Sequence, residues 1–198
     1  MYKIPEFNVG GVMLSKRQMI NIRYYLKEQK VIKRLVENHG VSKEEAAEMV
    51  GDVLEIIENG GYDSDTAIGE VLEMYGTQTS DKKEEYEIPE YKAGKNDEIS
   101  IAVAEMEEVS EYITLQLIVE KVSAKSKKLP QQDIHDIAMD ALEILETTPG
   151  RTEDDAIDEA LDAYMEENSG EGDYSDDGYG RYDDYDEYRG LSDDDDDY

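Results

Sequence analysis

Tyr2-Lys3-Ile4-Pro5-Glu6-Phe7-Asn8-Val9-Gly10 returns later in the chain as Tyr86-Glu87-Ile88-Pro89-Glu90-Tyr91-Lys92-Ala93-Gly94. Working outward, the parallel continues. Met19, Ile22, Tyr25, Leu26, Gln29 and Val31 find Met106, Val109, Tyr112, Ile113, Gln116 and Ile118. Leu54 to Glu58 answers Leu142 to Glu146, and Ala67-Ile68-x-Glu70-x-Leu72-x-x-Tyr75 answers Ala156-Ile157-x-Glu159-x-Leu161-x-x-Tyr164. Self-similarity of this kind decides the fold class, since each copy must be read as one structural unit.

Each copy reads as an extended leader followed by three helices. Proline lacks a donor and restricts the residue before it, so the Ile-Pro-Glu-aromatic run stays out of a helix. The first helix is expected over about residues 15–37, and its counterpart over about 100–123, with Ile101, Val109, Ile113, Leu117 and Ile118 as an apolar stripe. Ser42 and Glu45 form a capping box for the middle helix, whose equivalent opens at Pro130 in a first helical turn. Glycine and proline stop these helices near 59–61 and 147–150. A last helix takes Ser64 or Thr152 as N-cap and ends near Gly76 or Asn168.

The expected fold class is therefore all-α, a tandem duplication of a small, mostly three-helix unit packed as a pseudo-dimer. The units are 1–76 and 86–168, joined by a polar linker, 77–85, and followed by an Asp/Tyr/Gly-rich tail, 169–198. That tail has almost no aliphatic residues and is expected to be disordered in isolation. A unit of this size has a small core, which favours packing of one copy on the other.

Composition narrows the function. The chain has 198 residues, a formal net charge of -31, no Cys, no Trp and two His. Without cysteine there is no disulfide, thiolate nucleophile or Cys-ligated zinc, which fits a cytoplasmic protein, in host cytoplasm if the source is viral. No stretch is apolar enough to span a bilayer, and no signal-peptide apolar region follows Met1. Such a charge repels nucleic acid and anionic lipid and attracts basic surfaces.

The charge is unevenly placed. Residues 1–40 carry eight Lys and Arg against Glu6, Glu28 and Glu37, a balance of +5. Residues 41–91 and 129–168 each come to -12, and the tail to -11. On the middle helix of the first copy, Glu45, Glu48, Asp52, Glu55 and Glu58 step by three or four, which lines them on one face. Asp133, Asp136, Asp140, Glu143 and Glu146 repeat those steps in the second copy. The ladder continues on the last helices as Asp65, Glu70 and Glu73, and as Asp154, Glu159 and Asp162. Like charges at these spacings cost about 0.2–0.5 kcal/mol per pair. No Lys or Arg interrupts residues 130–148. A solvated helix face is the plain alternative, but a charge of this size exceeds what solubility needs.

In the tail, Tyr174, Tyr179, Tyr182, Tyr185 and Tyr188 alternate with acids such as Asp183 and Asp184, and Asp193, Asp195 and Asp197 belong to a terminal aspartate run. Carboxylates and phenols are the ligand side of a single-strand-binding groove. The alternatives are a solubilising tail, or one that folds back on the basic segments 16–34 and 121–128. One pattern is scored for calcium: Asp173, Ser175, Asp177 and Asp184 stand at loop positions one, three, five and twelve around Gly178. Gly180, the closing Asp and the lack of an exiting helix argue against it, so no metal or cofactor is expected.

Enzyme chemistry is not expected. His39 and His135 do not match between the copies and have no nucleophile pattern beside them, and no phosphate loop or dinucleotide fingerprint is present. In composition the chain resembles phage-encoded DNA mimics of the antirestriction group, and Asp133-Ile134-His135-Asp136 is similar to a string in that group. The duplication and the basic first helix depart from that pattern. The expected function is an acidic nucleic-acid mimic that inhibits a basic DNA- or RNA-binding host protein, such as a restriction enzyme, another defence nuclease or RNA polymerase. It would itself bind neither nucleic acid nor membrane, as monomer or homodimer. The alternative is a structural or assembly adaptor whose acidic tail screens a basic partner, with the leaders or first helices making the contact.

Overall fold

The computed structural model describes residues 2–77, 84–94, 98–148 and 150–168. It is mostly helical, with element order strand, strand, helix, helix, helix running through twice. The first run is β1 (Phe7–Val9), β2 (Val12–Leu14), α1 (Lys16–His39), α2 (Lys43–Gly60) and α3 (Ser64–Tyr75). The second is β3 (Tyr91–Ala93), β4 (Ile99–Ile101), α4 (Val103–Lys125), α5 (Gln131–Thr147) and α6 (Glu153–Asn168).

Two short hairpins precede the helices, in and just after the leaders that the sequence reads as extended. β1 and β2 pair antiparallel with Val9 opposite Val12, leaving Gly10 and Gly11 as a two-residue turn. Both have positive φ, 55° and 84°, the left-handed backbone that a tight hairpin turn of this length demands. β3 and β4 pair antiparallel with Tyr91 opposite Ile101. Ile101 is thus a buried strand residue and does not belong to the helical stripe. The helix opens three residues later than expected, at Val103.

Local chemistry sets the other boundaries. Gln18 Oε1 accepts from the Ser15 N–H at 3.0 Å, and Glu105 does the same for Ala102 at 2.9 Å. The Ser42 box forms as read: the Glu45 N–H donates to Ser42 Oγ at 3.2 Å. Asp63, not Ser64, caps α3, accepting from the Asp65 and Thr66 N–H groups at 2.9 and 3.0 Å. Those bonds, the Thr66 ones foremost, hold the Asp63 carboxyl below its usual range. Pro130 is the N-cap of α5 and stands just outside its first turn.

Three apolar clusters run through the molecule. Leu35, Val36, Met49, Val53 and Ile68 anchor one between the C-terminal half of α1, α2 and α3. Ile118, Val122, Ile137, Ala141 and Ile157 anchor another between α4, α5 and α6. The central one is built from both runs: Leu14, Met19 and Ile22 meet Ile101, Met106, Val109 and Ile113. Here α1 and α4 pack antiparallel, as the ion pairs Lys16–Glu120 at 2.6 Å and Lys30–Glu107 at 3.0 Å require.

The leaders cross over. The Tyr2 hydroxyl bonds to Gln116 Oε1 on α4, while the Tyr86 hydroxyl bonds to Gln29 Oε1 on α1 at 2.5 Å. Phe7 stacks on Tyr112 of α4 with ring centroids 4.3 Å apart. Tyr91 meets Tyr25 of α1 edge-on at 5.3 Å. Each leader therefore docks on the long helix of the other run. Gln116 is the one buried polar side chain among the described residues, and its Oε1 accepts the Tyr2 bond.

Candidate partner-binding faces

The acidic ladders point away from the apolar clusters. On α2 the buried positions are Ala46, Met49, Val50, Val53 and Leu54, so Glu45, Glu48, Glu55 and Glu58 face solvent and Asp52 is half-buried. On α5 Ile134, Ile137, Ala138 and Ala141 are buried, which exposes Asp136, Asp140, Glu143 and Glu146 and half-buries Asp133. Glu70 and Glu73 on α3, and Asp154, Glu159 and Asp162 on α6, are exposed as well.

Counter-charge separates them into two sets. Glu58 stands 4.0 Å from Lys27, Asp65 3.5 Å from Arg34, Asp154 3.2 Å from Lys121 and Glu159 3.0 Å from Arg151. Among the described residues, Glu45, Glu48, Asp52 and Glu55 on α2 and all five ladder acids of α5 have no Lys or Arg within ion-pair distance. Their hydrogen bonds are to neutral groups. The Tyr75 hydroxyl donates to Asp52 at 2.8 Å, the Tyr164 hydroxyl to Asp133 at 2.6 Å, and the Gln132 amide to Asp136 at 2.9 Å. The bond to Asp52 raises the Tyr75 phenol above its ordinary value. The two tyrosines occupy matching places in sequence yet hold different rungs, the third on α2 and the first on α5.

A groove of about 420 Å³ opens on the α2–α3 face, with Asp52, Glu55 and Glu70 on its walls and Ile56, Tyr62 and Met74 as its apolar part. Met74 is 70% exposed, and Tyr62 45%. Tyr62 follows Gly61, as Arg151 follows Gly150, and both glycines have positive φ, 63° and 82°. The two glycines lie against each other: a Cβ on either would come within about 3.3 Å of the other's carbonyl oxygen. Where the second run puts the Arg151–Glu159 pair, the first has Tyr62 beside an open Glu70. Sequence reading found the acids but missed this apolar component, although Tyr62 and Met74 flank the ladder in plain view.

The paired cations are concentrated on α1 and α4, where Arg23 is largely buried and the rest are partly exposed. Glu153, on the first turn of α6, accepts from Arg23 at 3.0 Å and from Lys121 at 3.1 Å. Burial pushes its carboxyl up, but the two cations outweigh burial and hold it below its usual range. Lys27 beside it is lowered, first by burial and then by Arg23. The basic first helix thus neutralises acids of α2, α3, α4 and α6.

Several sequence candidates lie outside the described residues: tail residues Tyr182, Asp183, Asp184, Tyr185, Tyr188, Asp193, Asp195 and Asp197, and the calcium set Asp173, Ser175, Asp177 and Asp184. Among the described residues no three His, Cys, Asp or Glu side chains are grouped as metal ligands, and no helix is long and apolar enough to cross a membrane. No family model, curated protein sequence or solved structure matches the chain.

Proposed function

We propose that the protein is a non-enzymatic nucleic-acid mimic, binding the phosphate-contacting site of a basic DNA- or RNA-binding protein through the outward faces of α2 and α5. One observation carries this reading: nine ladder carboxylates on α2 and α5 have no cationic neighbour among the described residues, while the cations of α1 and α4 pair with other acids. Steps of three or four residues space carboxylates by about 5 Å. Nucleic acid places a phosphate about every 3.4 Å along each strand. Two such faces present Lys and Arg side chains with charge at comparable density. Unscreened repulsion along each helix is relieved when a basic partner binds, which makes association favourable and salt-sensitive.

The same reading takes residues 1–76 and 86–168 as copies of one duplicated unit, packed as a pseudo-dimer about α1 and α4. The reciprocal pairs Tyr2–Gln116 and Tyr86–Gln29, and Phe7–Tyr112 and Tyr91–Tyr25, support it. A duplicated unit would offer the partner two related acidic surfaces, as a duplex offers two strands.

The adaptor reading assigns contact to the leaders and first helices instead. Ile4 is buried, and Tyr2, Phe7, Ile88 and Tyr91 pack against the central cluster. Those leader side chains are already engaged within the molecule, which favours the acidic faces. The test is charge reversal of Glu48, Asp52, Asp136 and Asp140 to Lys, with binding measured against a nucleic-acid-binding protein captured on the immobilised chain. Mimicry expects a loss of about 100-fold or more. Unchanged affinity would transfer the contact to another surface.

A further inference from the structure

Within a chain of net charge -31 there is one strongly cationic groove among the described residues. Arg23, Lys27, Lys30 and Arg34 step by four, three and four along α1 and so share a face. They open onto two clefts. The first, about 390 Å³, lies between α1, α2 and the start of α3, with Lys27, Lys30, Lys33 and Arg34 around Val31, Leu54 and Ile57. The second, about 460 Å³, lies where the ends of α2 and α5 meet, and adds Arg23, Lys121 and Arg151. Lys27, Ile57 and Glu58 line both, so the clefts join. Their combined walls hold seven of the chain's twenty Lys and Arg against four carboxylates, Glu37, Glu58, Glu153 and Asp154.

We propose that this groove is the docking site of the chain's own C-terminal segment, residues 169–198. The segment carries thirteen acids against Arg181 and Arg189, and its tyrosines supply rings for the floor of Val31, Leu54 and Ile57. Length and origin fit. α6 starts at the groove, since Glu153 and Asp154 line it, and runs away for 16 residues, about 24 Å. About seven extended residues beyond Asn168 bring the chain back. The span of α1 from Arg23 to Arg34 is about 17 Å, which about five further residues cover. The tyrosine run and the terminal aspartates therefore reach every part of the groove.

Three of the seven cations are held by loose pairs, while Arg23, Lys30, Lys121 and Arg151 sit in pairs of 3.0 to 3.2 Å. Lys27–Glu58 at 4.0 Å, Lys33–Glu37 at 3.7 Å and Arg34–Asp65 at 3.5 Å are long and partly exposed, and such pairs are weak. Repulsion from the acidic faces of α2 and α5 is screened beyond about 8 Å at physiological salt. Tethering raises the local concentration of the segment to about the millimolar range, enough for a weak site to fill. This docking does not depend on the mimic reading, because the only ladder acids on the groove walls are Glu58 and Asp154, both already paired with lysine, and the nine unpaired ones on α2 and α5 stay open.

The chain has no cysteine, so Ser192→Cys in the full-length protein takes a single nitroxide label. Amide signals are then read by NMR. Docking expects residues around Lys27 to Arg34 and Ile57 to Gly61 to lose more than half their intensity at 50 mM salt and to recover it at 500 mM. Adding Lys30→Glu and Arg34→Glu, both half-exposed, removes the effect while circular dichroism and the unfolding midpoint show the fold retained. Broadening that is absent at low salt, or spread evenly over the surface, overturns the proposal. So does broadening that appears only between labelled and unlabelled molecules, which assigns the groove to a second copy. Shifts in the groove on adding single-stranded oligonucleotide, without broadening from the label, assign it to nucleic acid and also overturn it.

Discussion

The α2–α3 face and the α5–α6 face have matching acid patterns and different neutralisation. On α6, Asp154, Asp158 and Glu159 each meet a cation, from Lys121, Lys125 and Arg151. On α3 only Asp65 does, and Glu70 stands open beside Tyr62 and Met74. The lesson is that acidic sequence and acidic surface differ. Residues 41–91 and 129–168 each come to -12, and among the described residues each face keeps six ladder acids without a cation, but the first has an apolar groove among them. Partner contact is therefore expected to be uneven, strongest at α2–α3 and extended by α5.

The comparison depends on both faces being held by one shared core, and the largest effect tests that. Ile22→Ala and Ile113→Ala each remove a fully buried side chain from the central cluster, one from each run. Each is expected to cost about 2–5 kcal/mol. Urea unfolding should remain a single transition for both variants. Two separated transitions would mean that the halves fold independently.

The next effect concerns the junction between the faces. Glu153→Gln leaves Arg23, a largely buried cation, without its carboxylate, and is expected to cost about 1–3 kcal/mol. Because the folded-state carboxyl is held below its ordinary value, its contribution is present above that ordinary value and is lost as pH falls through the folded-state value. Urea midpoints measured between pH 7 and pH 3 should fall less steeply in the variant than in the native chain.

Smaller effects test the crossed leaders. Tyr2→Phe and Tyr86→Phe each remove a hydroxyl from a glutamine, and each is expected to cost about 0.5–1.5 kcal/mol. Similar losses would support reciprocal docking. A loss confined to Tyr2, whose partner Gln116 is the buried one, would show that the two crossings are unequal.

The smallest stability change sharpens the comparison most. Tyr62→Arg gives the first face the cation that the second already has, and Arg151→Tyr does the reverse. Both positions are exposed, so each change is expected to stay within about 0.5 kcal/mol. Binding should nevertheless move in opposite directions, weaker for Tyr62→Arg and stronger for Arg151→Tyr, when affinities for a captured basic protein are compared.

Much of this molecule was legible from residues close together in the chain. The Ser42–Glu45 box, the glycine stops and the spacing of Glu45 to Glu58 are local signals, and the six helices follow them closely. The first hairpin was legible too: Phe7, Val9, Val12 and Leu14 alternate around Gly10-Gly11, a turn signal that the leader reading passed over. Ile101 misled because one apolar residue fits helical spacing as readily as strand alternation. Longer-range features were not legible. Whether Asp65, Asp154 or Glu159 is neutralised depends on Arg34, Lys121 and Arg151, and two of those three lie about thirty residues from their partners. The crossing of Tyr2 to Gln116 spans 114 residues, and only the packing of α1 on α4 creates it.

Competition tests the central claim most directly. A nucleic-acid-binding protein recovered on the immobilised chain is titrated with the chain in the presence of its own nucleic acid, from 50 to 200 mM salt. Mimicry predicts mutually exclusive binding, with an affinity that falls steeply with salt, as it does for proteins that contact phosphates. A complex holding the basic protein, the chain and the nucleic acid together would contradict it.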